Sequence, residues 1–302
     1  MHAVVGTIPR RGFPLVEGEV GIRDDTISIQ GNHIPVNRGT PALLAAAIKA
    51  AQFLDQPAPR GYLVGDIGLG DGSRRLYEYL TLHLPQSGFK CIALHYLQPD
   101  VNWHNRVLTT LDETVRRPRL IADAGFMYAA KMSGKSSQYD LFTPDIGELA
   151  FLADEQAPHP FYTRGFILHE ESRVPDLILR AYAHKNAARH LLVKGEKDYI
   201  ANEKGIQAII DHPVEEAMEA IGGTGDTSTG IVATLISTGM EIIEAASVAA
   251  RTNRLAGYYA KPSAATQVIE IVNHIPRALE EVLGDNDKGM ACEELSQGKS
   301  AR

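Results

Sequence analysis

Cysteine is nearly absent from this chain of 302 residues, which contains only Cys91 and Cys292. A disulfide framework or a cysteine-rich zinc site needs several cysteines at short spacings, and these two are far apart. The sequence therefore gives no indication of either kind of site. It fits a protein of a reducing compartment.

Basic residues are outnumbered, since 30 lysines and arginines stand against 37 acidic residues and give a net charge of −7. Nucleic acids and anionic membranes attract clustered positive charge, and no basic stripe is present. No apolar run reaches the length of a membrane span, and no apolar segment follows Arg10 and Arg11 as a signal peptide would require. We therefore expect a soluble, cytoplasmic protein that binds neither nucleic acid nor membrane.

Apolar residues make up 44% of the chain, enough for one large α/β domain or two smaller ones. They occur in short runs that alternate with helical stretches. This alternation indicates an α/β fold with a mostly parallel central sheet and helices on both faces. The runs that predict strands are residues 61–64, 91–94, 120–122, 141–143 and 191–193.

The second half of the chain changes pattern after residue 195. Residues 198–210 predict two antiparallel strands around a turn. Further helices are predicted at residues 174–189, 227–238, 241–259 and 264–283. We therefore predict a single domain over residues 1–283, followed by a mobile polar tail over residues 284–302.

Residues 222–226 read Gly-Gly-Thr-Gly-Asp and come directly before a predicted helix. Glycines allow backbone N–H groups to approach a ligand closely, and a helix start adds partial positive charge. The pattern predicts a phosphate site. The carboxylate of Asp226 does not fit such a site, because a permanent acid beside phosphates is unfavourable unless it takes up a proton or holds a cation. Asp226 is thus the candidate catalytic base, although a simple helix cap would give the same sequence.

Four other motifs follow predicted strands. A glycine loop at residues 65–72 follows a strand and precedes a helix, where it could form a second anion site. Asp123 follows the next-but-one predicted strand. Asp145 and Glu148 are spaced to share one face of a helix and could hold a hydrated divalent cation. Lys194 opens a glycine turn where it could neutralise phosphates. Each motif also has an ordinary explanation as a turn, a helix cap or a solvated charge, but together they suggest phosphoryl transfer from a Mg-nucleotide.

In their order along the chain, these motifs resemble the ribokinase-like superfamily. Within it they are most similar to the ATP- or ADP-dependent NAD(P)H-hydrate dehydratases. Residues 218–226 resemble that family's Met-Ala-x-Gly-Gly-Thr-Gly-Asp signature, and residues 143–148 resemble its Thr-Pro-His-x-Gly-Glu. Residues 123–124 resemble the start of its Asp-Ala-Asp, residues 68–70 the end of its Gly-Pro-Gly-Leu-Gly, and residues 39–40 its Gly-Ala segment.

This resemblance implies a three-layer αβα fold that uses ATP or ADP and Mg²⁺ to repair hydrated NADH or NADPH. It implies that Asp226 takes a proton from the substrate hydroxyl, and that Glu148 positions a Mg²⁺-bound water. The residues implied to bind nucleotide are Lys194, Gly195, Gly222, Gly223, Thr224 and Gly225. Those implied to contact the substrate are Thr40, Gly68, Asp123 and Asp145.

Two departures from the family pattern leave alternatives open. Asp145 stands where the family has histidine, and residues 66–67 replace a Gly-Pro pair. A carboxylate would repel the phosphates of a dinucleotide but would suit a sugar hydroxyl or a metal, so a sugar or vitamin-precursor kinase is the second hypothesis. A nucleotide-binding regulatory protein without turnover is the third. The alanine pairs at 245–246 and 249–250 permit close packing within the chain or in a homo-oligomer.

Overall fold

The computed structural model describes residues 1–155 and 173–284 and contains one large and one small β-sheet. The large sheet has nine strands in the order β12-β11-β10-β9-β8-β7-β1-β6-β2, and the small sheet has the order β3-β4-β5. The strands are β1 (His2–Ile8), β2 (Val16–Glu19), β3 (Gly21–Arg23), β4 (Thr26–Ile29), β5 (Asn32–Pro35), β6 (Arg60–Gly65), β7 (Cys91–His95), β8 (Arg119–Ala122), β9 (Leu141–Phe142), β10 (His190–Val193), β11 (Asp198–Asn202) and β12 (Gly205–Ile210).

Strands β10, β9, β8, β7, β1 and β6 are parallel, as the alternation of strands and helices predicts. Strands β2, β11 and β12 are antiparallel and lie at the two edges of the sheet. Parallel strands end at the same edge of a sheet, so the residues that follow β7, β8, β9 and β10 meet there. This edge carries the candidate site.

Helices cover both faces of the large sheet, and side chains of alternate strand residues enter different cores. In β1, for example, Val4 packs with one core and Val5 with the other. Helices α1, α7, α8 and α9 contribute to the first core and α2 to α6 to the second, which confirms the expected mostly parallel sheet with helices on both faces. The helices are α1 (Thr40–Phe53), α2 (Asp71–His83), α3 (Val101–Asp112), α4 (Gly125–Met132), α5 (Ile146–Ala153), α6 (Val174–Ala183), α7 (Thr224–Thr238), α8 (Ile242–Ala260) and α9 (Val268–Val272).

Helices α1 and α7 pack unusually closely because Gly230 lies at their contact. A Cβ atom at Gly230 would lie 2.2 Å from the carbonyl oxygen of Leu43, so no larger residue fits without moving a helix. Both helices begin at the C-terminal edge of the sheet. Their close packing therefore fixes the two helix starts relative to each other.

Two predicted helices were wrong in extent. The helix expected over residues 174–189 ends at Ala183, because Lys185 adopts a left-handed backbone (φ 60°) that a helix cannot contain. The helix expected over residues 264–283 begins at Val268, where Gln267 and Glu270 form a capping box, and it is interrupted by a turn at residues 273–274.

The closing helical segment, residues 275–284, extends one residue beyond the predicted domain end. Residues 285–302 of the predicted mobile tail lie outside the described residues. The single domain over residues 1–283 stays a prediction. Among the helices of the described ranges, none combines the length and the apolar character that crossing a bilayer requires.

Candidate active site at the C-terminal edge of the sheet

Asp226, the third residue of α7, lies at the centre of the site with its side chain 14% exposed. Its Oδ2 accepts a hydrogen bond from the N–H of Gly39 (2.7 Å), and its Oδ1 lies 2.9 Å from Nε2 of His95. Burial opposes ionisation of this carboxyl, but the His95 hydrogen bond and the Lys194 charge outweigh burial and lower its pKa. Asp226 is therefore an ionised carboxylate held from two sides.

The glycine loop before Asp226 leaves its backbone amides open. Gly223 has φ 104°, a conformation that favours glycine, and forms the N-cap of α7. Within the described ranges, the N–H groups of Gly222, Gly223, Thr224 and Gly225 donate to no protein acceptor. The Thr224 hydroxyl instead donates to the carbonyl groups of Met218 and Ile221, which fixes the loop. These amides are placed to bind an anion.

Lys194 brings a positive charge to the same place. Nζ of Lys194 lies beside Gly225, only 3.7 Å from where a Cβ atom at that glycine would be. Nζ also donates hydrogen bonds to both carboxylate oxygens of Asp123, at 3.1 and 3.0 Å. Burial opposes the charge on the lysine, but the attraction of Asp123 and the neighbouring carboxylates outweighs burial and raises the pKa of Lys194. The ammonium is thus permanently charged beside the open amides.

Asp123 serves mainly as the partner of this lysine. Its side chain is 3% exposed, and it also accepts hydrogen bonds from the hydroxyl of Thr229 and from the N–H of Ala124. Thr229 Oγ1 can then accept a hydrogen bond from the Thr143 hydroxyl, which lies 2.9 Å away at the end of β9. The acid predicted to contact substrate therefore links β8, β10 and α7.

Asp145 and Glu148 form a reciprocal cap at the start of α5. The N–H of Glu148 donates to Oδ1 of Asp145 (2.7 Å), and the N–H of Asp145 donates to Oε2 of Glu148 (2.9 Å). Burial and the negative charges of Asp145 and Asp123 raise the pKa of Glu148 to about 8. The ordinary explanation of these two acids as helix caps is thus realised. Asp145 keeps its Oδ2 for a ligand, whereas Oε1 of Glu148 already accepts a hydrogen bond from the Tyr128 hydroxyl (3.3 Å).

Comparison with known proteins decides the family. The family model described as NAD(P)H-hydrate dehydratase (Carb_kinase) matches residues 99–277, more than half of the chain. The chain belongs to the NAD(P)H-hydrate dehydratase family. Its fold is also similar to that of a ribokinase-like superfamily protein of Enterococcus faecalis, with a TM-score of 0.57, 17% identity and coverage of 93% of this chain and 87% of that one.

Two curated relatives show how far the family similarity extends. An uncharacterized protein of Methanocaldococcus jannaschii is 41% identical over 80% of this chain and 100% of its own length. A bifunctional NAD(P)H-hydrate repair enzyme of Hyperthermus butylicus is 33% identical over 39% of this chain and 22% of its own length. The match to the bifunctional enzyme therefore spans less than a quarter of that protein.

The glycine loop at residues 65–72 differs from the anion site that we expected there. Asp66 accepts hydrogen bonds from the N–H groups of Gly68, Leu69, Gly70 and Ser73 and from the Ser73 hydroxyl, at 2.8 to 3.1 Å. The expectation was wrong for these amides because the chain supplies its own carboxylate to them. A substrate contact of Gly68 stays a prediction, but the N–H of Gly68 is already bonded to Asp66 and would not be the donor in that contact.

Thr40 and Gly195 are also engaged within the protein. Thr40 is 1% exposed, and its hydroxyl lies 2.9 Å from Nδ1 of His95. The N–H of Gly195 donates to Asp198 (3.3 Å), and the carbonyl oxygen of Gly195 accepts a hydrogen bond from Arg254. The structure therefore brings both residues to the site, while their ligand contacts stay predictions.

Sequence reasoning missed His95, Tyr96 and Arg254. His95 is completely buried at the end of β7, and Tyr96 packs edge-on against it with ring centroids 4.2 Å apart. Arg254 forms a buried ion pair with Asp198 (2.7 Å) and holds the turn that follows Lys194. The position of His95 after a predicted strand was an available signal, whereas nothing in the local pattern around Arg254 indicates its partner.

Proposed function

We propose that this protein uses ATP or ADP to dehydrate hydrated NADH or NADPH, with Asp226 as the base. The observation that carries the proposal is the ionised Asp226 carboxylate beside the open amides of residues 222–225 and the Lys194 ammonium. Membership of the NAD(P)H-hydrate dehydratase family supports the reaction class. The geometry supports phosphoryl transfer as its first step.

In that step the substrate hydroxyl attacks the terminal phosphorus of the nucleotide. An oxygen–phosphorus bond forms, the bond to the nucleotide leaving group breaks, and Asp226 accepts the hydroxyl proton. The N–H groups of Gly223 to Gly225 and the Lys194 ammonium stabilise the charge on the phosphoryl group. All of these groups are fixed before the substrate arrives, so little reorganisation opposes the reaction.

In the second step the carbon–oxygen bond of the phosphorylated hydrate breaks. Inorganic phosphate leaves with the bonding electrons, a proton leaves the adjacent ring carbon for solvent, and the carbon–carbon double bond of the reduced nicotinamide ring is restored. The sum of the two steps converts the hydrate and ATP into NAD(P)H, ADP and phosphate, or the corresponding products when ADP is the donor. No oxidant or reductant is needed.

The site also has the charge and the ligand type that Mg²⁺ requires. Four carboxylates, Asp123, Asp145, Glu148 and Asp226, lie around the single ammonium of Lys194. Carboxylate oxygens are the ligands that Mg²⁺ prefers, and the pKa of Glu148 is raised by burial and then by the neighbouring carboxylates Asp145 and Asp123. Glu148, acting through a bound water, and Asp145 would hold the ion, which would neutralise the phosphates of the nucleotide.

The decisive experiment adds the protein, Mg²⁺ and either ATP or ADP to chemically hydrated NADH or NADPH and follows the absorbance of the reduced nicotinamide. We expect the wild type to restore the band with one of the nucleotides. The Asp226→Asn variant should be slower by about 1,000-fold. An unchanged spectrum with both nucleotides and both hydrates would refute the proposed reaction.

A small-molecule kinase is the second candidate, and Asp145 favours it. Its exposed carboxylate adds negative charge beside Glu148, where the diphosphate of a dinucleotide would be repelled and a sugar or vitamin hydroxyl would be accepted. The two functions differ in their products. A kinase would form a stable phosphate ester and restore no nicotinamide absorbance.

A further inference from the structure

His95 connects the two helix starts of the site through both of its ring nitrogens. Nε2 lies 2.9 Å from Oδ1 of Asp226, at the start of α7, and Nδ1 lies 2.9 Å from the hydroxyl of Thr40, at the start of α1. The ring is completely buried. It contacts the candidate base from the side away from solvent.

The hydrogen-bond partners determine where the ring proton lies in the neutral ring. An ionised carboxylate can only accept, so Nε2 must carry the proton that is shared with Asp226. Nδ1 is then an acceptor, and the Thr40 hydroxyl donates to it. The chain Thr40 to His95 to Asp226 therefore aims one N–H at Oδ1, while the N–H of Gly39 is aimed at Oδ2.

We propose that His95 is a positioning residue for the base: it fixes the Asp226 carboxylate and keeps it ionised for proton transfer, with Thr40 setting the tautomer. This inference rests on the proposed role of Asp226. With one donor on each oxygen, the carboxylate cannot rotate, and each oxygen keeps a lone pair for the substrate hydroxyl. The ring acts through Asp226 and does not touch the reacting atoms.

Several charged or titratable groups face this pair from the neighbouring elements. They are Asp123 from β8, Lys194 from β10, Glu148 from α5 and Tyr96 after β7. Lys194 favours the ionised form of Asp226, whereas the acids oppose it. Removal of the His95 donor leaves the charges of Lys194 and the acids unchanged but takes away one hydrogen bond to the carboxylate, so the proton affinity of Asp226 must rise.

The test compares His95→Leu, His95→Gln and Thr40→Val with the wild type. His95→Leu removes the donor, and we expect the turnover number to fall about 100-fold and the acidic limb of its pH profile to move up by about one to two pH units. In His95→Gln the side-chain amide replaces the Nε2 donor, so most of the loss should be recovered. Thr40→Val keeps the ring but loses the donor to Nδ1 and should give a smaller shift in the same direction.

His104 provides the matched control. It is another completely buried histidine whose two ring nitrogens are both hydrogen-bonded, to the Tyr139 hydroxyl (2.8 Å) and to Ser133 (3.1 Å). Its partner Tyr139 belongs to the second core, to which α2 to α6 contribute. His104→Leu should lower stability without moving the acidic limb. If His95→Leu and His104→Leu lose turnover equally and neither moves the limb, the positioning role is overturned.

Carbon NMR of the Asp226 carboxyl separates failure of this inference from failure of the proposed function. The titration of Asp226 needs no substrate, so it can be followed even if the wild type restores no NADH. We expect the pKa of Asp226 to be higher in His95→Leu and close to the wild-type value in His95→Gln. An Asp226 titration that is the same in wild type and His95→Leu would refute the inference whatever the activity.

Discussion

The two glycine loops of this protein have similar compositions and opposite structures. Residues 65–72 fold around the carboxylate of Asp66, which occupies four backbone N–H groups and one hydroxyl. Residues 222–226 place the carboxylate of Asp226 beyond the loop, so within the described ranges the preceding amides have no protein acceptor. One loop is closed by its own anion, and the other is open to an anion from outside.

The position of the acid explains the difference. Asp66 precedes the glycines and can curl back over the N–H groups that follow it, as an acid before a turn commonly does. Asp226 follows the glycines and lies inside the helix, from which it bonds to Gly39 and His95. A glycine-rich loop can therefore offer its N–H groups to an outside anion only when no nearby acid of the chain binds them first.

Among the variants that test this comparison of the two loops, the largest effect should come from removing the positive charge beside the open loop. Lys194→Met leaves Asp123 buried without its cation, so we expect a loss of about 3 kcal/mol in unfolding free energy and a turnover reduced about 100-fold. Urea unfolding and the nicotinamide assay measure the two losses. The double variant Lys194→Met with Asp123→Asn should recover stability but not turnover, and recovery of both would show that Lys194 is only structural.

The closed loop should respond in stability rather than in turnover. Asp66→Ala leaves the buried N–H of Ser73 and the partly buried N–H groups of the loop without an acceptor, and we expect a loss of about 2 kcal/mol. The vacated amides should then bind sulfate, so that sulfate raises the melting temperature of this variant more than that of the wild type. An equal response of the two proteins to sulfate would contradict the comparison of the loops.

Acidic pH should destabilise the closed loop by protonating Asp66. Burial opposes its ionisation, but the hydrogen bonds from Ser73 and the loop amides outweigh burial and lower the pKa of Asp66 below 3.8. A lowered pKa contributes stability that is present above the unfolded value and is lost as the pH falls through the folded value. We expect wild-type stability to decrease below about pH 4 more steeply than that of Asp66→Asn, as measured by denaturation at each pH.

The smallest effect concerns Mg²⁺ and Glu148. Because the pKa of Glu148 is raised from 4.5 to about 8, the folded protein holds a proton there over this interval, and its contribution to stability is lost as the pH rises. Binding of Mg²⁺ beside this carboxylate should therefore release a proton at neutral pH. Calorimetry in buffers of different ionisation enthalpy detects the release, which should vanish in Glu148→Gln and persist in the surface control Asp71→Asn.

The fold could be predicted from the sequence further than the site could. Alternating strands and helices predicted the parallel sheet, since hydrophobic patterning is a local property. The lengths of the helices near residues 184 and 267 could not be predicted in the same way, because a left-handed residue and a capping box decided them.

Within the site, the motifs singled out Asp226, Lys194 and Asp123, and the structure brings these three residues together, while their roles stay predictions. The partners of His95 and Arg254 could not be predicted, because they lie more than 50 positions away in the sequence. The anion site expected at residues 65–72 was wrong for the opposite reason, because Asp66 binds the N–H groups of its own loop. Its partners are all within seven residues, but a glycine pattern does not show whether its N–H groups are already occupied.

Gly230 determines a dimension of the site although it lies a full helical turn beyond Asp226. Its missing side chain lets α7 contact the backbone of α1 at Leu43, which holds the two helix starts close to each other. The distance between Gly39 and Asp226 thus depends on the small size of Gly230, which does not itself line the site. Any adaptation of this crevice to a larger or smaller substrate must come from the strand-end loops, since the paired helices leave no room for adjustment.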